Sequence, residues 1–232
     1  MGIRMRHALA ATAVLAMLLV LPACSGQQGF HIKNLAKSDI DFVSDAGYRR
    51  SDALLRELAE KLYKRNPREL AKWPGASRDE RIQQLFGREG RLEFAALGGK
   101  SGTEAMELAF SEDFGGDRVF ALMAGLTDMI RWAYGYQAEF FMFDALDSQK
   151  LYNSARNLEI VAWRLTHKRD SSQQLFLLTN SRGDEPRNLS YERLFGELVA
   201  IQDFMSDVVA RKRDRVINKV AINLASYAFL PL

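Results

Sequence analysis

Few side chains in this sequence stand where their type and spacing would do chemistry. Asp128 and Arg131 lie three residues apart inside the most apolar stretch that follows the N-terminal leader. That spacing puts them on one face of any helix formed there. Charges held in apolar surroundings are normally paired, so two readings are open: a ligand contact, or a structural pair that satisfies itself. Gly98-Gly99-Lys100-Ser101-Gly102 precedes a helical pattern and invites comparison with a phosphate-cradling loop. The longer spacer that a Walker motif requires before its Gly-Lys pair is missing, so a turn feeding a helix is expected instead. Glu104, Glu107, Glu139 and Glu159 lie near apolar segments. A hydrolase acting on peptidoglycan through a lone carboxylate therefore stays open as one alternative. No Gly-x-Ser-x-Gly elbow is present, and no Ser-x-x-Lys with its companion motifs.

Metal chemistry is not expected. The histidines are His7, His31 and His167, and the one cysteine is Cys24. They are too few and too scattered for a zinc set, and no disulfide is possible within the chain. His167 closes a helical pattern, where its charge suits the helix dipole. No cofactor is expected.

Cys24 carries the sharpest signal. Arg4 and Arg6 precede an apolar run from Ala8 to Leu21, and the small residue Ala23 stands directly before the cysteine. This is the order of a secretory signal. Leu21-Pro22-Ala23-Cys24 resembles the lipobox of bacterial lipoproteins. The resemblance covers the leader alone. It implies that Leu21, Pro22 and Ala23 are the signal-peptidase recognition positions, that cleavage falls before Cys24, and that Cys24 is acylated on its thiol and on its new amino group. One acyl chain binds a membrane only marginally, whereas two anchor it stably. The apolar run of 14 residues ends at Pro22, short of the roughly 20 needed to span a bilayer. Ser25 after the cysteine, not Asp, is similar to an outer-membrane address in enteric bacteria. The implied location is the cell envelope, lipid-anchored, at the outer membrane facing the periplasm.

Three segments follow from this: residues 1–23 as cleaved signal, 24–37 as lipidated N-terminus and tether, and 38–232 as a single α-helical periplasmic domain. The stretch 25–37 opens with Ser25-Gly26-Gln27-Gln28-Gly29, the composition of a tether. From Cys24 onward there are 209 residues, enough for a sizeable core. The formal net charge of +3 falls to +1 without Arg4 and Arg6, which gives no electrostatic case for nucleic acid.

The elements that must position Asp128 and Arg131 read as helices. Ser38 with Asp41 caps a pattern carried by Leu54, Leu58 and Leu62, in which Gly47 permits a break. Asn66-Pro67 opens a further turn. Ser77 and Glu80 form a capping box, and Gly87 closes that helix. Arg91 to Ala96 alternates, so one short strand is possible. Thr103 is the expected cap for Glu104 to Phe110. Asp117 to Phe143 reads as a central buried helix, with Gly125 and Gly135 leaving room for a neighbour. Asp144 to Lys168 is a second long helix whose polar row, Asn153, Arg156, Asn157, Glu159 and Arg164, is either a solvated face or a rim for a partner. Asp170 to Ser181 is open between helix and strand. Arg182-Gly183-Asp184 falls in a loop, where turn chemistry outweighs adhesion. Ser190 caps the last long helix, and Phe229-Leu230-Pro231-Leu232 is expected to pack on the body. The expected fold is mainly α: a helical-bundle-like domain of about seven helices around a buried central helix, with at most one short strand.

The expected function is that of a membrane-anchored envelope lipoprotein, more plausibly an interaction or assembly protein than an enzyme, held to the membrane through lipid on Cys24 and contacting an envelope protein partner. The alternatives are a carrier or sensor of an apolar ligand in a helical cavity beside Asp128, and the carboxylate hydrolase.

Overall fold

The computed structural model describes residues 38–75, 77–141, 146–181, 185–186, 188–212, 217 and 228–232. The leader, Cys24, the tether and the Arg182-Gly183-Asp184 triplet lie outside them. Among the described residues the protein is mainly α, with seven α-helices: α1 Asp39–Arg65, α2 Pro67–Leu70, α3 Arg78–Phe86, α4 Gly102–Ala109, α5 Arg118–Ala133, α6 Ser148–His167 and α7 Ser190–Lys212. None is long and apolar enough to cross a membrane.

Helix starts follow their local chemistry. Asp41 Oδ2 accepts from the Ser38 N–H at 2.6 Å and from Ser38 Oγ at 2.7 Å. Ser77 Oγ accepts from the Glu80 N–H, while Glu80 accepts from the Ser77 N–H. Asp117 Oδ1 accepts from the Phe120 N–H at 2.9 Å. Each satisfies amides that the first helical turn leaves without partners. α1 continues through Gly47 without a break. A Cβ there would stand 3.0 Å from Tyr134 Oη and 3.2 Å from Met205 Cγ, so the glycine serves close packing and not a helix end.

Two expectations are corrected, and two readings that the sequence leaves open are decided. α4 starts at Gly102, with Ser101 and not Thr103 at its cap position. α5 ends at Ala133, although the apolar run goes on, because Gly135 (φ +66°) and Tyr136 (φ +57°) turn left-handed. Residues 91–96 form no strand; a 3₁₀ turn, Ala95–Leu97, stands at their end. Residues 170–181 are neither helix nor strand, and Arg169 and Leu175 make an isolated antiparallel bridge.

α5 is the core of the body, buried along almost its whole length from Val119 to Ala133. α4 crosses it at Gly125, where a Cβ would lie 2.5 Å from Met106 Cγ and 2.6 Å from the Gly102 carbonyl oxygen. Gly135, by contrast, serves the turn after α5. α1 and α7 run antiparallel, joined by Arg50–Glu197 at 2.5 Å and by Tyr191 Oη donating to the Lys61 carbonyl at 2.9 Å. α6 runs antiparallel to α7, with Ser206 Oγ on the Ser148 carbonyl and Arg156 on Asp203 at 2.6 Å. Gln202, fully buried, accepts from Ser154 of α6 and donates to Ser51 of α1. A buried amide is costly unless bonded, so this bridge fixes how the three helices register.

Three residues of the polar row of α6, Asn153, Asn157 and Arg164, meet the chain's own C-terminus. Asn157 exchanges two bonds with Leu230 at 3.0 and 2.7 Å, and Asn153 donates to the Pro231 carbonyl at 2.7 Å. The Arg164 guanidinium lies 4.3 Å over the Phe229 ring and pairs with Glu107 at 2.8 Å. The tail packs on the body as expected, and it occupies part of the face that the sequence leaves open between solvent and a partner.

Candidate functional site

Asp128 and Arg131 both lie on α5, 3 % and 4 % exposed. Among the described residues they do not bond one another. Each instead holds the segment that arrives from α3. Arg131 donates to the Leu85 carbonyl, in the last turn of α3, and to the Gly90 carbonyl, both at 3.3 Å. A cation at a helix C-terminus is favoured by the orphan carbonyls there. Asp128 Oδ1 accepts from the Leu92 N–H at 2.8 Å. That bond explains the missing strand: Leu92 is buried, and its amide is taken by a side chain instead of a ladder.

Asp128 has a second role. Its Oδ1 also accepts from Tyr136 Oη at 3.2 Å. Its Oδ2 accepts no hydrogen bond from the described residues and lies 3.5 Å from the place a Cβ would take at Gly102. Both Asp128 and Gly102 line a cleft of about 370 Å³. Ser101, Thr103 and Glu104 at the start of α4 form one wall, and Met129 and Trp132 of α5 the other. Arg91, Tyr136 and the C-terminal Leu232 complete the rim. Arg91 is fixed by Ser101 Oγ at 3.1 Å and by Glu93 at 3.0 Å. Trp132 packs edge-on against Tyr136 at 5.6 Å and carries Lys150 Nζ 4.0 Å over its ring.

Burial pushes the Asp128 carboxyl above its ordinary range. The hydrogen bonds from Leu92 and Tyr136 and the charges of Arg91 and Arg131 oppose this. Burial and the Asp128 carboxylate together push the Tyr136 phenol up, so it stays a donor. The left-handed backbone of Tyr136, uncommon for a residue with a Cβ, is what turns the phenol back onto α5. The cleft thus offers one open carboxylate oxygen, hydroxyls from Ser101 and Thr103, and an aromatic wall. It suits a ligand with hydrogen-bond donors on one side and an apolar or ring face on the other. It does not suit phosphate: the start of α4 faces a carboxylate.

The remaining candidates take structural places. His167 stacks on Trp163 at 4.8 Å and bonds its carbonyl. Glu107 pairs with Arg164, and Glu159 with Arg156 at 3.4 Å. Glu139 is exposed. A second hollow, of about 520 Å³, is lined by Glu69 and Arg118, which bond inward. Glu69 accepts from Lys72 and from the Arg118 N–H, and Arg118 donates to the carbonyls of Leu108 and Ala109 at the end of α4 and of Ser111 just after it. Among the described residues no three metal-ligating side chains come together. Trp132, Tyr136, Ser101 and Leu232 are site residues that the sequence alone places in the core, a glycine-rich turn or the tail; Gly135, breaking the apolar run, is the one signal for where Tyr136 goes. Comparison with protein families, with curated proteins and with solved structures gives no match.

Proposed function

We propose that this protein is a lipid-anchored binding protein of the bacterial cell envelope, held through Cys24, whose ligand occupies the cleft beside Asp128. The observation that supports the binding role is the Asp128 carboxylate itself, buried in the body yet with Oδ2 left for a donor from the cleft. The anchor is supported by Leu21-Pro22-Ala23-Cys24. The ligand class is a small molecule with hydroxyl or amine donors and an apolar face, because carboxylate and ring lie within one cleft. The fully apolar ligand of the carrier alternative fits less well, since a desolvated carboxylate without a donor is costly.

Two experiments test this. Cys24→Ala should leave a folded protein that no longer rescues a deletion strain; full rescue would contradict the anchor. Titrating amino sugars and amino alcohols into isotope-labelled protein should move the Leu92 and Gly102 amide signals together, and Asp128→Asn should abolish the shifts. Shifts that survive in Asp128→Asn would contradict the site.

A further inference from the structure

The antiparallel packing of α1 and α7 brings the start of one helix beside the end of the other, with Gly47 against Met205. Between them runs a groove of about 340 Å³. Every residue lining it is apolar or glycine, among them Val43, Ala46, Ile201 and Phe204. Phe204 is 58 % exposed and Val43 37 %. Both stand on regular helix, so their exposure is a property of the helix faces. Large exposed apolar side chains that share a face mark a contact surface.

The chain outside the described structure says what covers it. The body begins at Ser38, five residues before Val43 and 14 after Cys24. Fourteen residues reach at most about 50 Å fully extended. An acylated Cys24 therefore holds this end of the body near the bilayer at high effective concentration, and a patch too weak to bind membrane alone is enough beside an anchor. The charges at this end are mixed, Asp39 and Asp207 against Arg211 and Lys212, all exposed. Apolar contact and not net charge is what the face has to offer.

We infer that the groove edge formed by Val43, Ile201 and Phe204 is a membrane-docking face, resting in the headgroup boundary of the bilayer that holds Cys24. The inference rests on the proposed acylation. Docking there would fix the orientation of the whole body relative to the membrane, with the axes of α1 and α7 leading away from it.

The test uses the full chain, purified with its lipid and placed in phosphatidylethanolamine–phosphatidylglycerol vesicles. Cys24 is the only cysteine, and once its thiol is acylated a single new cysteine takes a spin label cleanly. Labels are placed by Phe204→Cys, by Val43→Cys and, at the far end of α1, by Lys64→Cys. At 204 and 43 the ratio of collisions with oxygen to collisions with a water-soluble nickel chelate should rise several-fold on vesicles over detergent-free amphipol. At 64 it should not change. A label at 204 that meets the chelate on vesicles overturns the docking face. A label shielded from both reagents, with doubled mass by light scattering, overturns it in favour of a second copy. The same shielding in a monomer assigns the groove to the chain's own segment and overturns it equally. The intact mass reads the acylation separately: a bare Cys24 overturns the anchor on which the inference rests.

Discussion

Tyr136, one turn beyond the end of α5, reaches back 3.2 Å to Asp128 near the middle of the same helix. The bond depends on two successive left-handed residues, Gly135 and Tyr136. It ties the rim of the cleft to α5 and leaves Asp128 with one oxygen committed and one open. Tyr136→Phe removes this donor and keeps the ring against Trp132. A loss of about 1 kcal/mol by denaturant unfolding is expected, the usual net worth of such a bond. The Leu92 amide should stay protected from hydrogen exchange, because its bond to Asp128 is independent.

The Asp128 carboxyl also sets a pH dependence. Burial, the largest influence on it, raises it above its ordinary range. The folded protein then holds this proton more tightly than the unfolded chain, so raising the pH from about 4 towards 7 costs stability through this group. Asp128→Asn keeps an acceptor for Leu92 and Tyr136 and cannot ionise. The Tm difference between variant and wild type should therefore move in the variant's favour as pH rises across that interval. Movement in the opposite direction would mean that the carboxylate is stabilised in the fold.

Gly125 is where α4 and α5 touch. An added Cβ would meet Met106 Cγ at 2.5 Å and, on the backbone side, the Gly102 carbonyl at 2.6 Å. Met106 is fully buried, and two of the three close atoms, the Gly102 carbonyl oxygen and the Met106 amide nitrogen at 2.7 Å, are backbone. Gly125→Ala should destabilise by about 2 kcal/mol or more, in the range of overpacked cores. It should also shift the amide signals of residues 101–104 on the cleft wall.

Much of this fold was legible because its signals are local. Ser77 with Glu80, Asp117, and Pro67 after Asn66 each act within one turn, and each stands where its helix begins. The alternation of residues 91–96 left a short strand open because its cause is distant: Leu92 is buried and held by Asp128, 36 positions away. The polar row of α6 was ambiguous for the same reason. Asn153 and Asn157 meet Pro231 and Leu230 at separations of 78 and 73 residues, and no pattern within α6 encodes that. Asp128 was legible as a charge out of place, but its partners were not, since the spacing to Arg131 suggested a pair that the fold does not make.

The C-terminal strap gives a further prediction. Asn157 bonds both the N–H and the carbonyl of Leu230, and Leu232 lines the cleft. Asn157→Ala should raise hydrogen exchange at the Leu230 amide, which donates to Asn157, by tenfold or more, on the order of the 1.4 kcal/mol that a tenfold change represents. Overall stability should fall by about 1–3 kcal/mol as two half-buried bonds go. Equal protection in variant and wild type would mean that Arg164 and Phe229 hold the tail by themselves.

The central claim is that an anchored body carries a ligand against Asp128. Its most direct test is native mass spectrometry of the lipidated protein extracted from its own envelope, wild type beside Asp128→Asn. The account predicts a discrete small-molecule adduct on the wild type that is absent from the variant, over a protein mass that includes the acyl chains on Cys24. An adduct of equal occupancy on both proteins, or none on either, would contradict it.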